Sequence, residues 1–286
     1  MNRLPSWLTQ EISDQAVLDR IDEIGNAQVR TVCREAHCPN TARCLKNKQL
    51  TFLILGDRCT RHCLFCSVQK RAVSGCDVDP QESGRISALV KQWGLRYVVV
   101  TSVTRDDLAD GGAGGFCSVV NAVRGLGTKA KIEVLVPDFQ GNRDSIEKIV
   151  SAKPHVFGHN IETVRRLYPA VRPKADYRQS LSVLKFAKAC DPGIITKSSI
   201  MLGLGENEYD LYSVMEHLRR AGVDILTLGQ YLAPSDRHCP VNEFIDPDRF
   251  TYYGEIARQF GFRAVLSGPL VRSSFCAEEL YNSIAC

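Results

Sequence analysis

Short apolar runs recur along the chain from residue 51 onward, each separated from the next by a longer segment. The runs are rich in Val, Ile and Leu, as is typical of parallel strands that are buried on both faces. In several of the intervening segments, apolar residues recur at intervals of three and four, which predicts amphipathic helices. The predicted strands are 51–55, 96–102, 131–136, 155–160, 194–202, 224–230 and 262–268, and the predicted helices are 83–94, 145–153, 177–190 and 208–222.

This alternation of strands and helices predicts an α/β fold built on a parallel sheet. The number of units favours a sheet that closes or nearly closes, so we expect a partial parallel (β/α)6-type TIM-like barrel. The first fifty residues lie outside the alternation and are expected to form an N-terminal, cysteine-rich extension that packs on the barrel. The expected organisation is an extension at 1–50, a barrel at 51–268 and a C-terminal segment at 269–286.

The composition narrows the class of protein. Of the 286 residues, 44% are hydrophobic and 24% are charged, which is the balance of a globular protein and not of a disordered one. No apolar run approaches the thickness of a bilayer, and the N-terminus lacks the apolar region of a secretory signal, so we expect no membrane association and a cytoplasmic location. The net charge of +4 is spread without a long basic tract and does not indicate nucleic-acid binding.

The cysteines are the most informative residues, because six of the twelve lie between positions 33 and 66. One set, Cys59, Cys63 and Cys66, lies in the sequence CTRHCLFC directly after the first predicted strand. Three thiolates on one short loop can hold three corners of a four-iron cluster and leave one iron open to an external ligand. The alternative is a zinc site or a redox dithiol, although His62 inside the loop is poorly placed to be a fourth ligand.

A second set of three cysteines lies upstream, in the sequence CREAHCPNTARC. Its members are Cys33, Cys38 and Cys44, and this set also lacks a fourth thiolate. Parallel barrels place their chemistry where strands end, and polar residues follow the predicted strands consistently. The glycine-rich stretch 110–115, DGGAGG, lacks a dinucleotide or Walker pattern and indicates a turn of close backbone approach.

The loop CTRHCLFC resembles the cluster-binding loop of the radical S-adenosylmethionine superfamily. Together with the upstream set and the C-terminal Arg272-Ser273-Ser274, the chain is similar to the lipoyl synthases over nearly its whole length. The matching stretches include CREAHCPNTARC, VVVTSVTRDDLADGGAGGF, IEVLVPDFQG, HNIETV, TKSSIMLGLGE, DILTLGQYL and GPLVRSS.

This resemblance implies two 4Fe-4S clusters and S-adenosyl-L-methionine as cofactors. It implies that Cys59, Cys63 and Cys66 hold the cluster that reduces S-adenosylmethionine, with Phe65 beside the adenine. It further implies an auxiliary cluster as the sulfur donor, held by the upstream cysteines and by Ser274 as an unusual fourth ligand. Without the resemblance, Ser273 and Ser274 are more typical of a C-terminal turn or helix cap. The implied metal ligands are Cys33, Cys38, Cys44, Ser274, Cys59, Cys63 and Cys66.

The same resemblance implies an activity and partners. The implied reaction is the radical-mediated insertion of two sulfur atoms at C6 and C8 of a protein-bound octanoyl group. The implied partners are an octanoylated lipoyl carrier protein or domain and an electron donor such as ferredoxin or flavodoxin. Two alternatives stay open, namely another sulfur-inserting radical S-adenosylmethionine enzyme and a non-catalytic iron–sulfur or zinc protein.

Polar residues at the predicted strand ends are candidates for contacts with S-adenosylmethionine. Hydroxyl, amide, carboxylate and cationic groups at these ends can bind its amino group, ribose and carboxylate. Individually each has a structural alternative as a cap, a first-turn acid or a surface charge, so they are candidates as a set. The set is Thr101, Ser102, Asn160, Glu162, Arg172 and Lys197.

Overall fold

The computed structural model describes residues 4–9, 14–36, 38–70 and 78–285, apart from the side chains of residues 69 and 70. Its centre is a parallel sheet of seven strands that pair in chain order. All seven predicted runs form these strands, which confirms the α/β fold with a parallel sheet. The strands are β1 (Leu50–Ile54), β2 (Tyr97–Ser102), β3 (Lys131–Leu135), β4 (Val156–Gly158), β5 (Ile195–Leu202), β6 (Ile225–Gln230) and β7 (Ala264–Gly268).

Eleven α-helices lie within the described ranges, and the four that the sequence predicts all form within two residues of their predicted bounds. None of the helices in these ranges combines the length and the apolar character needed to cross a bilayer. The helices are α1 (Gln15–Asn26), α2 (Val32–Glu35), α3 (Thr41–Lys46), α4 (Glu82–Trp93), α5 (Ala113–Gly125), α6 (Arg143–Ser151), α7 (Tyr168–Val171), α8 (Tyr177–Cys190), α9 (Glu208–Arg220), α10 (Pro247–Gln259) and α11 (Ala277–Asn282).

The sheet is a partial barrel, because its strand order runs from β1 to β7 as a single open series. Six strand–helix units precede β7, so the architecture is the (β/α)6 type with one further strand. The segment before α2 covers the free edge of β1. There the backbone nitrogen of Leu53 donates to the carbonyl oxygen of Arg30 at 2.9 Å, and Thr31 bridges Phe52 in antiparallel orientation.

The barrel interior is plugged at the end where the strands begin. The first residues of β4 to β7 form one apolar cluster with Leu280 of α11. Because this end is filled by α11, the open end of the interior is the one where the strands finish. A parallel barrel normally carries its functional groups at that end. The clustered first residues are Val156, Ile195, Ile225 and Ala264.

The glycine-rich stretch is a turn of close approach, as the sequence predicts. Gly112 has a φ of +91°, and a Cβ atom there would lie 2.2 Å from Cδ1 of Leu55. Gly115 is also too close for a side chain, since its Cβ atom would lie 2.6 Å from Cδ2 of the same leucine. The start of α5 therefore packs directly against the end of β1, where the cysteine loop begins.

Candidate functional site

The two sets of cysteines border two cavities that lie side by side. The first, which we call the strand-end cavity, has a volume of about 260 Å³ and is bordered by Cys59, Cys63 and Cys66. The second, which we call the extension cavity, is bordered by the three upstream cysteines. Val32 at the start of α2 borders both cavities, so the two are immediate neighbours.

The cysteine loop after β1 is anchored by a buried arginine in its middle. Arg61 Nη2 donates to Asp106 Oδ1 at 2.9 Å and to Asp138 Oδ1 at 3.0 Å, and Nη1 donates to the carbonyl oxygen of Lys174 at 2.7 Å. Asp106 follows β2 and Asp138 follows β3, so one guanidinium ties the loop to two neighbouring strand ends. These bonds link charged groups, and such hydrogen bonds are stronger than neutral ones. The loop is thereby held in one position over the barrel.

The electrostatics of this anchor favour the ion pairs. Burial alone would raise the pKa of Asp106, but the hydrogen bond from Arg61 and its positive charge hold that pKa below the usual value. The pKa of Asp138 is lowered for the same reason, since the charge of Arg61 outweighs the effect of burial. Both carboxylates are therefore ionised at neutral pH.

Backbone hydrogen bonds hold the second half of the loop. The nitrogen of Leu64 donates to the carbonyl oxygen of Val171 at 2.9 Å, and the nitrogen of Cys239 donates to the carbonyl oxygen of Leu64 at 2.8 Å. A ring nitrogen of His238 lies 3.1 Å from the carbonyl oxygen of Cys66. The three thiols thus lie on a backbone that is fixed from both sides.

Most of the predicted cofactor residues border the strand-end cavity. The structure brings together six of the seven at the ends of β2 and β4, in the cysteine loop and just after α7. They share the cavity with an apolar lining that includes Leu53, Val103, Leu135 and Val136. The six residues are Phe65, Thr101, Ser102, Asn160, Glu162 and Arg172.

Several buried polar atoms around this cavity have no hydrogen-bond partner within the described part of the chain. They are Ser102 Oγ, Arg172 Nε and His159 Nε2. Buried polar atoms are normally paired, so orphaned atoms around one cavity are what a polar ligand would satisfy. The Thr101 hydroxyl is different, because it already donates to the carbonyl oxygen of Leu135 at 2.8 Å.

Asn160, Glu162 and Arg172 form a connected group at the cavity wall. Asn160 Nδ2 donates to Glu162 Oε1 at 3.1 Å, and Arg172 Nη1 donates to the carbonyl oxygen of Asn160 at 3.2 Å. Arg172 Nη1 also donates to the hydroxyl of Tyr168 at 2.9 Å. Burial raises the pKa of the Glu162 carboxyl, and the charge of Arg172 only partly opposes this shift. The group presents acceptors and donors together on one side of the cavity.

Lys197 is not with the other predicted cofactor residues. Its side chain is 1% exposed, and Nζ lies 2.8 Å and 3.0 Å from the two carboxylate oxygens of Glu133. The hydroxyl of Tyr97 donates to the same carboxylate at 2.7 Å. Lys197 is paired with a carboxylate, but that carboxylate belongs to the protein. The assignment of Lys197 as a cofactor contact is therefore corrected to a buried ion pair within the barrel.

Replacing Lys197 by methionine is expected to lower the free energy of unfolding by about 3–5 kcal/mol, because Glu133 would be left as an uncompensated buried charge. The double variant Lys197→Met, Glu133→Gln removes both charges and keeps an acceptor for Tyr97, so it should recover most of that loss. Anaerobic urea unfolding followed by circular dichroism measures both variants. A single variant as stable as the wild type would show that this ion pair is not a structural element.

The upstream cysteines lie on two short helices that fold back on each other. Cys33 is on α2, Cys44 is on α3, and Cys38 lies between them. The hydroxyl of Thr41 donates to the carbonyl oxygen of Cys38 at 2.8 Å, which fixes the turn. Asn40 Nδ2 donates to the carbonyl oxygen of Leu270 at 2.6 Å and so ties this turn to the C-terminal segment.

The C-terminal segment supplies the opposite wall of the extension cavity. Arg272 and Ser274 border that cavity together with the three cysteines. The segment crosses β6 at Gly229, where a Cβ atom would lie 2.0 Å from the carbonyl oxygen of Val271, so only glycine leaves room for the crossing. Ser273 Oγ donates to Asn160 Oδ1 at 2.9 Å, and this bond links the C-terminal segment to the strand-end cavity.

The chemistry of the thiols fits a metal centre. None of the six clustered cysteines forms a disulfide. Burial raises the pKa of Cys33 and of Cys66 to about 12, so these thiols become thiolates only when a nearby cation compensates the charge. Within the described ranges, no group of three or more Cys, His, Asp or Glu side chains is arranged to hold a single metal ion.

Sequence reasoning missed several residues of this site. Arg61, Asp106 and Asp138 anchor the loop, and His159 borders the strand-end cavity. All four lie within stretches that match the resembled family, in CTRHCLFC, VTRDDL, VPDF and HNIETV. Their position in the segments that follow strands is the signal that could have found them, since polar residues at that edge face the site.

Comparisons with known proteins agree with this geometry. Residues 53–218 match the radical SAM superfamily. A lipoyl synthase of Caldicellulosiruptor saccharolyticus is 51% identical over 96% of this chain and 96% of its own. One from Alkaliphilus metalliredigens is 47% identical over 98% of this chain and 96% of its own.

Solved structures share the fold at low sequence identity. The hydrogenase maturase HydG matches with a TM-score of 0.61 and 14% identity over 82% of this chain and 54% of its own. SuiB of Streptococcus suis bound to S-adenosylmethionine matches with a TM-score of 0.59 and 12% identity over 90% of this chain and 57% of its own. Identity near 50% over almost the full length is decisive, and the chain belongs to the lipoyl synthase family of the radical SAM superfamily.

Proposed function

We propose that this chain inserts two sulfur atoms at C6 and C8 of an octanoyl group carried on a lysine of a lipoyl carrier protein or domain. The observation that carries the proposal is the pair of adjacent cavities, each bordered by three half-buried thiols and both bordered by Val32. Carbon–sulfur bond formation needs a hydrogen-abstracting site and a sulfur source close together. Neighbouring cavities with separate thiol sets meet that requirement.

We assign the ligands from this arrangement and from membership of the family. Cys59, Cys63 and Cys66 would hold one 4Fe-4S cluster with an open corner, and the upstream cysteines with Ser274 would hold a second one. When bound, the first cluster with S-adenosylmethionine supplies a 5′-deoxyadenosyl radical, and the second supplies the sulfur. An oxygen ligand at the fourth corner suits a donor of sulfur, because it is harder than a thiolate and leaves iron more readily.

The chain's own residues would bind, orient and exclude water. Phe65 would lie beside the adenine, and the polar groups at the strand ends would hold the ribose and the methionine portion. The apolar lining would accommodate the alkyl chain and keep water from the radical. The proposed polar contacts are Thr101, Ser102, Asn160, Glu162 and Arg172.

The wider organisation follows the same proposal. Residues 1–50 would be the extension that carries the auxiliary ligands, 51–268 the barrel, and 269–286 the segment that brings Ser274. The hydrogen bonds from Asn40 to Leu270 and from Ser273 to Asn160 support a joint site built from these three parts. We further propose a ferredoxin or flavodoxin as electron donor and the cytoplasm as location.

The test is turnover of the anaerobically reconstituted full chain with dithionite, S-adenosylmethionine and an octanoylated carrier peptide. Mass spectrometry should find the lipoyl peptide together with 5′-deoxyadenosine, and the same peptide without its octanoyl group is the control. Deoxyadenosine without sulfur transfer would point to another radical enzyme. Zinc in place of iron, with no cleavage of the cofactor, would point to a non-catalytic metal protein.

A further inference from the structure

His159 is a buried residue at the strand-end cavity that the ligand assignments above do not use. It follows β4 directly, is 2% exposed, and borders the cavity next to Asn160. Its Nδ1 atom lies 2.8 Å from the carbonyl oxygen of Val136, while Nε2 has no partner within the described residues. A buried ring nitrogen without a partner is uncommon and calls for a physical explanation.

The contact with Val136 decides which nitrogen of the ring carries the proton. A carbonyl oxygen can only accept, so Nδ1 must be the donor in this hydrogen bond. In a neutral imidazole the other nitrogen is then an acceptor with a free lone pair. The backbone therefore fixes the tautomer in which Nε2 accepts, before any ligand enters the cavity.

The surrounding charges keep the ring neutral. Burial and the positive charge of Arg172 lower the pKa of His159 to about 4, and Arg61 acts in the same direction. The hydrogen bond to Val136 and the carboxylate of Asp138 oppose the shift without reversing it. The ring is an uncharged acceptor throughout the neutral range.

We infer that Nε2 of His159 accepts a hydrogen bond from a neutral donor on the adenosyl half of bound S-adenosylmethionine, either a ribose hydroxyl or the adenine amino group. The inference rests on the proposed function, because it requires that cofactor in the strand-end cavity. The methionine ammonium is the less suitable partner, since a second cation would lie near Arg172. His159 is thus a binding and positioning residue for the adenosyl group.

Two isosteric substitutions separate this role from a structural one. His159→Asn can keep the donor to Val136 but removes the acceptor at the cavity, whereas His159→Gln can place an amide oxygen where Nε2 lies. His155→Asn is the matched control, because that histidine precedes β4 at the opposite end of the strand, where its Nδ1 accepts from the nitrogen of Ile132 at 3.0 Å. Iron content and circular dichroism establish that each variant is folded and loaded.

The measurement is equilibrium binding of S-adenosylmethionine and of 5′-deoxyadenosine to the reconstituted full chain. His159→Asn should weaken both ligands by the same factor of about ten, because a ligand donor would be left unpaired. His159→Gln should recover most of that affinity, and His155→Asn should bind as the wild type does. Three results would each overturn the inference. They are unchanged affinity in His159→Asn, weaker binding by His159→Gln than by His159→Asn, and a loss of affinity that is confined to S-adenosylmethionine.

A second binding experiment uses analogues that each lack one hydrogen-bond donor. They are measured first with the wild-type chain. Forms of 5′-deoxyadenosine without the 2′-hydroxyl, without the 3′-hydroxyl or with a dimethylated amino group are compared with the parent. One of these analogues should bind to the wild type about tenfold more weakly than 5′-deoxyadenosine does. The same analogue should bind to His159→Asn no more weakly than 5′-deoxyadenosine does. Equal losses in both chains would overturn the inference while leaving the proposed function intact. Failure of the wild type to bind any adenosyl ligand would overturn both.

Discussion

Replacing Cys38 by alanine is expected to abolish formation of the lipoyl product while the chain continues to cleave S-adenosylmethionine. Cys38 borders the extension cavity and takes no part in the strand-end cavity. Removing one of three thiols from a set that already lacks a fourth leaves too few ligands to retain a cluster. The product should fall by more than about 10³-fold, because the cofactors carry the chemistry and the polypeptide offers no substitute for the lost sulfur.

Iron analysis and product analysis together measure this effect. The iron content should fall from about eight to about four per chain, while 5′-deoxyadenosine still appears in the presence of reductant. Cys190→Ala is the matched control, because this cysteine is exposed at the end of α8 and borders neither cavity. It should retain the full iron content and the full yield of lipoyl peptide.

Two results would contradict the assignment of Cys38. A variant that keeps all of its iron would show that Cys38 is not a cluster ligand. A variant that loses half of its iron but forms lipoyl product at the wild-type rate would show that the extension cavity is not the source of sulfur. The two measurements therefore test the ligand and the role of the cluster separately.

The strand pattern could be predicted from sequence because burial on both faces leaves a continuous apolar run. In β2, Val98, Val99 and Val100 are all at most 3% exposed, so no polar residue interrupts the signal. Parallel strands joined by helices also leave few alternatives for topology. The seven strands accordingly form one parallel sheet, as predicted.

The cysteine sets were equally accessible to sequence reasoning, because their members lie close together in the chain. The residues that anchor the site could not be predicted in this way, since they depend on contacts between positions that are distant in the sequence. Arg61 reaches Asp106 and Asp138, which are 45 and 77 residues away, and Lys197 finds Glu133 at a separation of 64. A sequence pattern shows that a strand contains a lysine, but only the packed barrel shows which carboxylate faces it.

The error on Lys197 has a specific physical origin. It is the third residue of β5, whereas the residues that border the strand-end cavity lie at or beyond the last residues of their strands. A side chain that points into the barrel at mid-strand meets other side chains and not the open end. Position along the strand, in addition to polarity, therefore separates the proposed cofactor contacts from the internal ion pair.

The loop after β1 should respond to the loss of a thiol in the opposite way to the extension cavity. Replacing Cys63 by alanine is expected to abolish cleavage of S-adenosylmethionine, and with it lipoyl formation, because the strand-end cavity would lose one of its three thiols. The yield of 5′-deoxyadenosine should fall by more than about 10³-fold. Iron should again fall to about four per chain, as is expected for Cys38→Ala, while the thiols of the extension cavity remain intact.

Each of the variants Cys63→Ala and Cys38→Ala is the strongest control for the other. Both lack one thiol and have the same expected iron content, but cleavage of S-adenosylmethionine should survive only in Cys38→Ala. Deoxyadenosine quantified by liquid chromatography distinguishes them directly. If Cys63→Ala still cleaved the cofactor, the loop after β1 would not hold the reducing cluster. If both variants lost cleavage alike, the two cavities could not be assigned separate roles, and their division between radical generation and sulfur supply would have to be abandoned.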